Sequence, residues 1–230
     1  MSGMAVRSRQ IVRFNWPYYV TAALAVIGGI VMAAIVPLPA WARYPLYVAI
    51  GLMIVWLVTS LVASWIVYDR SRLMDWDWVL QALGFSPASW INLQAGHTDA
   101  RPALEKIFAG ATGQVFDIYD ARAMAADRTL PLARGTVDVA MLVLSAHQLR
   151  SDEARSALFA ELRRVLGPAG RVVVAEHMRD WTNFLAYGPG SLLFHSRRTW
   201  IRCFARNRFD VHREFSITPF VRVFVLRRLT

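Results

Sequence analysis

The order of apolar and polar residues divides the chain into an apolar N-terminal segment and a longer part in which short apolar runs alternate with amphipathic stretches. No charged residue lies between Arg13 and Arg43 or between Arg43 and Asp69. Each gap holds an apolar run long enough to cross the roughly 30 Å hydrocarbon layer of a bilayer as a helix. Two membrane spans are therefore predicted, near residues 18–36 and 46–67, and aromatic residues flank both runs as at a membrane interface.

The basic residues predict how these spans are oriented. Arginines precede the first run and follow the second, and only Arg43 lies between the two. Because positively charged flanks stay in the cytoplasm, the N-terminus and the C-terminal part are predicted to be cytoplasmic, on a bacterial-type inner membrane. The alternative is a cleaved signal peptide ending near Ala40-Trp41-Ala42. The first run is longer than an ordinary signal core and a second run follows directly, which favours two spans.

Residues 137–177 show a strand–helix–strand pattern. Residues 137–144 and 171–175 are almost wholly apolar, and residues 151–166 carry apolar residues at helical spacing. Ser151 is a suitable N-cap for that helix, and Gly167-Pro168 is expected to end it. Strands that are apolar on both faces and joined by a helix predict a parallel sheet covered on both sides.

Other elements follow from the same reasoning. Residues 71–83 predict an amphipathic helix, which would either lie in the membrane interface or face the core of the following domain. Residues 113–119 predict a strand, and residues 196–207 predict a helix.

The strand–helix–strand segment resembles the class I S-adenosylmethionine (SAM)-dependent methyltransferases. In that family a strand beginning near an Asp, here Asp138, is followed by a helix of the type E-x-x-R-x-L-x-P-G-G, here from Glu161 with Ala169 in place of one Gly. The resemblance covers about residues 90–228, and the alternative is an unrelated doubly wound domain. It implies an α/β fold: a reduced doubly wound Rossmann-like sheet with a C-terminal antiparallel hairpin. Its expected elements are a first strand at 90–95, a first crossover helix at 99–108 and a closing hairpin of 209–217 and 220–226. The two predicted transmembrane helices precede this domain. The sheet is expected to be reduced because residues 120–136 are too few for the family's second helix and third strand.

The chain is thus interpreted as four parts. These are a basic cytoplasmic arm (1–15), a two-helix transmembrane hairpin (16–69), an interfacial linker helix (70–89) and a methyltransferase-like domain (90–230).

The resemblance also implies a site for SAM. In the family the first strand ends in an acid followed by G-x-G-x-G, because the backbone must approach the cofactor where a Cβ would collide. Here Asn92 replaces the acid, Gln94 the first Gly and Thr98 the last, and Gly96 is retained. Asp117, at the end of the second strand, matches the acid that binds the ribose hydroxyls, or it is only a solvated strand-end carboxylate.

Two further strand ends carry candidate chemistry. Ser145 and His147 follow residues 137–144, where the family's sulfonium and acceptor would lie, and Glu176 and His177 end the next strand. His147 is a candidate general base, and Glu176 is the second candidate catalytic residue. The alternatives are that His147 only packs and that Glu176 and His177 are tied to Arg179 as structure. The candidate cofactor-binding residues are Gln94, Gly96, Asp117 and Ser145.

The charge and the histidine content of the chain limit the kinds of partner that it is expected to bind. The net charge is +10, and nine arginines follow His195, which favours anionic lipid headgroups or an acidic partner surface over nucleic acid, since no nucleic-acid-binding module is present. No His precedes His97, so the hairpin offers no imidazole to a haem or chlorophyll, and the histidine spacing predicts no metal site. Cys203 is the single cysteine of the chain, which excludes an intrachain disulfide. The loop 181–196 is strongly apolar, which predicts contact with a membrane, lipid or protein unless the loop folds into the core.

Two functions fit these observations. The first is a non-catalytic accessory subunit that docks on a larger membrane complex of respiratory or photosynthetic type, with the lipid bilayer and other membrane-protein subunits as partners and no cofactor. The altered glycine motif favours this interpretation narrowly. The alternative is an active SAM-dependent methyltransferase that acts on a lipid-soluble acceptor such as a quinone, carotenoid, hopanoid or phospholipid.

Overall fold

The computed structural model describes residues 16–95, 100–118 and 129–229. The chain divides into two compact units: residues 1–71 with 181–191 form one, and residues 72–180 with 192–230 form the other. The predicted basic arm, residues 1–15, lies outside the described residues.

Seven α-helices and six strands can be assigned within the described residues. The helices are α1 (Trp16–Ile35), α2 (Ala40–Trp65), α3 (Asp77–Leu83), α4 (Arg101–Ile107), α5 (Asp152–Val165), α6 (Trp181–Tyr187) and α7 (Arg197–Arg206). The strands are β1 (Ser89–Gln94), β2 (Thr112–Asp117), β3 (Val137–Val143), β4 (Leu166–His177), β5 (Phe209–Thr218) and β6 (Val221–Arg228). A π-helical turn, Ile66–Arg70, continues α2, and 3₁₀ turns occupy Arg72–Asp75, Ala146–Gln148 and Gly188–Leu193.

In the first unit, α1 and α2 form the predicted pair of apolar helices. Both are long and apolar enough to cross a membrane, by length and composition. They approach closely at Gly29, where an added Cβ would lie 3.1 Å from the side chain of Ile50. Small residues at such crossings let helix backbones come together, as in membrane helix pairs.

The second unit contains one six-stranded sheet with the order β2-β1-β3-β4-β6-β5. The first four strands are parallel, and β6 runs antiparallel between β4 and β5. The predicted α/β fold, a reduced Rossmann-like sheet with a C-terminal antiparallel hairpin, is confirmed. Within the described residues no strand lies between β2 and β3 in the sequence, which accords with the short segment predicted there.

Most element boundaries agree with the sequence pattern to within a few residues. The predicted cap of α5 is present, since Ser151 Oγ accepts a hydrogen bond of 3.0 Å from the Ala154 amide. That helix ends at Val165, one residue before its predicted end. The strand after it begins earlier than predicted, because β4 already starts at Leu166, which pairs with Val137 and lengthens the ladder.

The helix predicted over 71–83 is interrupted. A 3₁₀ turn precedes α3, and Trp76 between them has a left-handed φ of 63°, a conformation in which a regular helix cannot continue. The buried Trp78 packs edge-on against Phe215 of β5, with ring centroids 6.3 Å apart. This helix therefore contacts the sheet of its own unit, and the interfacial position of residues 70–89 stays a prediction.

Aromatic side chains fill both faces of the sheet. On one face Phe159 of α5 is fully buried against Phe204 of α7 and Phe209. On the other face the ring of Trp90 lies over β2, where a Cβ on Gly113 would come within 1.9 Å of it. Gly113 is thus required for this close approach, and the buried helices leave the carboxyl ends of the parallel strands as the place for a site.

Candidate functional site

The candidate residues cluster where parallel strands end at one edge of the sheet. Gln94 and Asp117 are register partners at the ends of β1 and β2. Ser145 follows β3 and is 1 % exposed, and its hydroxyl donates to the Leu93 carbonyl at 2.7 Å. That bond joins the ends of β3 and β1, so the Ser145 hydroxyl holds the main chain of the predicted cofactor edge.

Two buried amide oxygens on β1 have no hydrogen-bond donor within the part of the chain that the structure describes. Asn92 Oδ1 and Gln94 Oε1 are inaccessible to solvent and have no partner among the described residues. A buried amide oxygen without a donor costs about 1–3 kcal/mol. A ligand that brings N–H groups to this strand end would recover that energy. The predicted Gly96, two residues beyond Gln94, lies outside the described residues.

His147 and Glu176, the two candidate catalytic residues, are in contact. His147 Nδ1 lies 2.8 Å from Glu176 Oε2, and the His147 amide donates to Glu176 Oε1 at 3.2 Å. The carboxylate is fully buried, whereas 15 % of the histidine side chain is exposed. Glu176 is therefore held by His147, instead of the alternative partner Arg179.

The same contacts orient the imidazole. The carboxylate favours a proton on Nδ1, which leaves Nε2 as an acceptor. The Gln148 amide nitrogen lies 3.1 Å from that Nε2, as a donor would. An imidazole oriented by a buried carboxylate can accept a proton at Nε2 and be stabilised as a cation.

Phe194 lies between two histidine rings of this cluster. It stacks on His177 with centroids 4.9 Å apart and meets His147 edge-on at 6.2 Å. His177 Nδ1 is 3.0 Å from the Phe220 carbonyl and donates to it, so its orientation is fixed by the main chain. The aromatic wall beside the His147–Glu176 pair is apolar, which suits a poorly hydrated site.

The sequence did not predict the contact between His195 and Arg155. Arg155 is 3 % exposed and donates to His195 Nε2 at 2.9 Å and to the Leu149 carbonyl at 2.7 Å. Burial, and then the guanidinium of Arg155, lowers the pKa of His195 below its ordinary value. No local signal links these residues, because 40 positions separate them in the chain.

A pH effect on stability follows from this contact. Because the pKa of His195 is lower in the folded state, the unfolded chain binds a proton first as the pH falls below about 6.5. We expect the thermal transition of the wild type to fall more steeply between neutral pH and pH 5 than that of His195→Gln. Thermal scans in detergent over this range test it, with exposed His212→Gln as the control. Parallel curves for the wild type and His195→Gln would contradict it.

Among the residues that the structure describes, no group of three or more His, Cys, Asp and Glu side chains could hold a metal ion.

Comparisons with known proteins show what this domain is similar to. Residues 98–174 match the family model of a methyltransferase domain. A SAM-dependent methyltransferase from Aquifex aeolicus is similar in structure, with 18 % identity, a TM-score of 0.55, and coverage of 69 % of this chain and 93 % of that one. No curated protein matches the sequence.

Two further solved structures are similar at comparable levels. A geranyl diphosphate methyltransferase bound to geranyl diphosphate and sinefungin has 15 % identity and a TM-score of 0.53, and covers 70 % of this chain and 78 % of its own. The 1,6-didemethyltoxoflavin-N1-methyltransferase of Burkholderia thailandensis, with bound 1,6-didemethyltoxoflavin and S-adenosylhomocysteine, has 16 % identity and a TM-score of 0.52. The match covers 84 % of this chain and 92 % of that one. At these identities the likeness shows the fold.

Proposed function

Because this chain carries a class I SAM-dependent methyltransferase-like domain, we propose that it is a membrane-anchored, cytoplasm-facing methyltransferase that acts on a lipid-soluble acceptor. The observation that carries this proposal is the contact between His147 and the buried Glu176 at the carboxyl edge of the sheet. Burying a carboxylate costs free energy unless the carboxylate is paired. Buried ionisable groups that have a specific partner concentrate at functional sites. The pair therefore favours an enzyme over a purely structural descendant of the fold.

The chemistry assigned to the pair is removal of a proton. When bound, SAM supplies an electrophilic methyl group on a sulfonium. Transfer of that methyl group would break its bond to sulfur and leave S-adenosylhomocysteine. His147 Nε2 would take the proton that the acceptor loses, once the Gln148 amide has given up its hydrogen bond to that nitrogen, and Glu176 would stabilise the resulting imidazolium. Phe194 beside the imidazole excludes water from that proton transfer.

The residues at the ends of β1 and β2 fit the polar groups of the cofactor. Asn92 and Gln94 present two buried oxygens that have no donor among the described residues, and the amino group of the cofactor would satisfy them. Asp117, the register partner of Gln94, would accept from the ribose hydroxyls. Gln94 departs from the family's glycine, so its side chain takes part in binding in place of a bare backbone.

Anchoring is assigned to α1 and α2. Both helices are long and apolar enough to span a bilayer, and arginines flank the pair on the side assigned to the cytoplasm. An acceptor that dissolves in the membrane suits an enzyme held at its surface. Quinones, carotenoids, hopanoids and phospholipids are the acceptor classes proposed.

The second candidate is the accessory subunit without catalysis. Replacement of the family's acid and two glycines by Asn92, Gln94 and Thr98 favours it. This candidate predicts no SAM binding and a stoichiometric membrane-protein partner.

Calorimetric titration of the detergent-solubilised protein with SAM and S-adenosylhomocysteine tests the proposal. We expect micromolar binding by the wild type. Asp117→Ala should weaken it by about 10–100-fold, since hydrogen bonds to a charged group contribute about 1.5–3 kcal/mol. Its thermal transition should change little because Asp117 is only partly buried.

Glu105→Ala, an exposed substitution on α4, is the matched control and should bind as the wild type does. Equal affinity of Asp117→Ala and the wild type would exclude the ribose role. Absence of wild-type binding up to millimolar SAM, together with a stoichiometric membrane partner, would overturn the enzyme proposal in favour of the accessory subunit.

A further inference from the structure

The segment from Trp181 to Ser191 belongs to the same compact unit as the two long apolar helices. It consists of α6 and the beginning of the 3₁₀ turn Gly188–Leu193. No Asp, Glu, Lys or Arg occurs between Asp180 and Arg197. The segment is thus uncharged throughout, although it leaves and rejoins a domain rich in charged residues.

Three contacts attach this segment to α2. Thr59 Oγ1 donates to the Ala186 carbonyl at 2.8 Å, near the end of α6. The ring of Phe184 meets the ring of Trp56 edge-on, with centroids 5.7 Å apart. These contacts use residues on one face of α2, since positions three apart are neighbours on a helix.

The third contact is made by Gly188, and only a glycine can make it. Its φ is 55°, and a Cβ built there would lie 2.4 Å from the ring of Trp56. Both the left-handed backbone and the close approach require glycine. The 3₁₀ turn therefore lies directly against the indole of Trp56.

The position of these contacts along α2 sets their depth. Thr59 and Trp56 precede Asp69, the first charged residue after α2, by 10 and 13 residues. At about 1.5 Å per residue they lie roughly 15 and 20 Å along the helix from that charge. If α2 crosses a hydrocarbon layer of about 30 Å, these contacts fall within the layer and not at its surface.

The backbone of the segment is suited to lipid. In hydrocarbon every main-chain polar group needs a partner from the protein. Thr59 supplies one to the Ala186 carbonyl, and Ser191 Oγ donates to the Gly188 carbonyl at 2.8 Å. Two large side chains of the segment are apolar and mostly exposed: Trp181 is 78 % exposed and Leu185 is 67 % exposed.

We infer that residues 181–191 form a re-entrant segment embedded in the bilayer beside α2, with Trp181 and Leu185 against lipid acyl chains. The inference rests on the proposed membrane anchoring, and it adds a second membrane-embedded element to the two helices. The bilayer is the occupant because the segment carries no charged residue, and because the attached helix is uncharged from Tyr44 to Trp65 and is long and apolar enough to cross a membrane.

Fluorescence quenching by lipids with a nitroxide on the acyl chain tests this. The only cysteine, Cys203, is buried and is replaced by alanine. Bimane is then attached to Leu185→Cys, to Val55→Cys on the exposed side of α2, or to Glu105→Cys on α4. Each labelled full-length protein is placed in nanodiscs of phosphatidylcholine and phosphatidylglycerol that contain the nitroxide lipid.

We expect quenching at position 185 to match that at position 55 and to exceed clearly that at position 105. Quenching at 55 with none at 185 would overturn the inference and leave the anchoring intact. No quenching at 55 would overturn the anchoring, and with it the inference. Thermal scans of each labelled variant, compared with the Cys203→Ala background, show whether that variant is folded.

Discussion

Replacing His147 with alanine is expected to lower the rate of methyl transfer by about 10²–10⁴-fold, the usual contribution of a positioned general base. The affinity for SAM should stay within a factor of a few, because His147 is proposed to contact the acceptor, whereas the groups proposed to bind the amino group and the ribose of SAM lie on β1 and β2. Transfer is measured as label from methyl-tritiated SAM that enters an organic extract of membranes supplied as acceptor.

The substitution Glu176→Gln tests whether the negative charge of Glu176 contributes to catalysis in addition to its orientation of the His147 ring. The amide keeps an oxygen that can accept from His147 Nδ1, but it removes the negative charge that stabilises the imidazolium. We therefore expect kcat to fall, by less than in His147→Ala, with little change in the SAM affinity. His212→Ala removes an exposed histidine on β5 and serves as the control. If His147→Ala folds and retains full activity, the His147–Glu176 pair is structural.

The largest loss of stability is expected from Phe159→Ala. The side chain is fully buried, and its ring lies 5.2 Å from that of Phe204 and 6.1 Å from that of Phe209. Truncation of a buried aromatic costs about 3–5 kcal/mol, a large part of the roughly 5–15 kcal/mol that holds a domain folded. The midpoint of the thermal transition should fall by about 10 °C.

Thermal scans in detergent measure this effect. Phe159→Leu keeps most of the volume and should lose less, and Phe85→Ala removes a ring that is 38 % exposed and should lose least. A fall in Phe159→Ala no greater than that in Phe85→Ala would contradict the described packing of α5 against α7.

The sequence predicted the elements of the fold well because their signals are local. The N-cap at Ser151, the apolar strands and the closing hairpin each depend on residues within a few positions of one another. The two boundary errors have non-local causes. Pairing of Leu166 with Val137 extends β4 backwards, and the left-handed backbone at Trp76 splits a helix that periodicity alone would continue.

The candidate site was predictable as a place but not as a set of contacts. Parallel strands bring their ends to one edge, so His147 and Glu176 could be assigned to the same region. Their pairing depends on the 3₁₀ turn after β3 and on the β3–β4 register, across 29 residues. Arg155 and His195, which lie even further apart, gave no signal at all.

The bond between Thr59 and Ala186 has a consequence for biosynthesis. Its partners are 127 residues apart, so α2 leaves the ribosome on the order of 10 s before the segment that it contacts. A hairpin inserted during translation would therefore already lie in the bilayer while most of the sheet is still being made. Residues 181–191 would then meet a helix that is already in place, and their contact with Thr59 would be completed at the membrane and not in free solution.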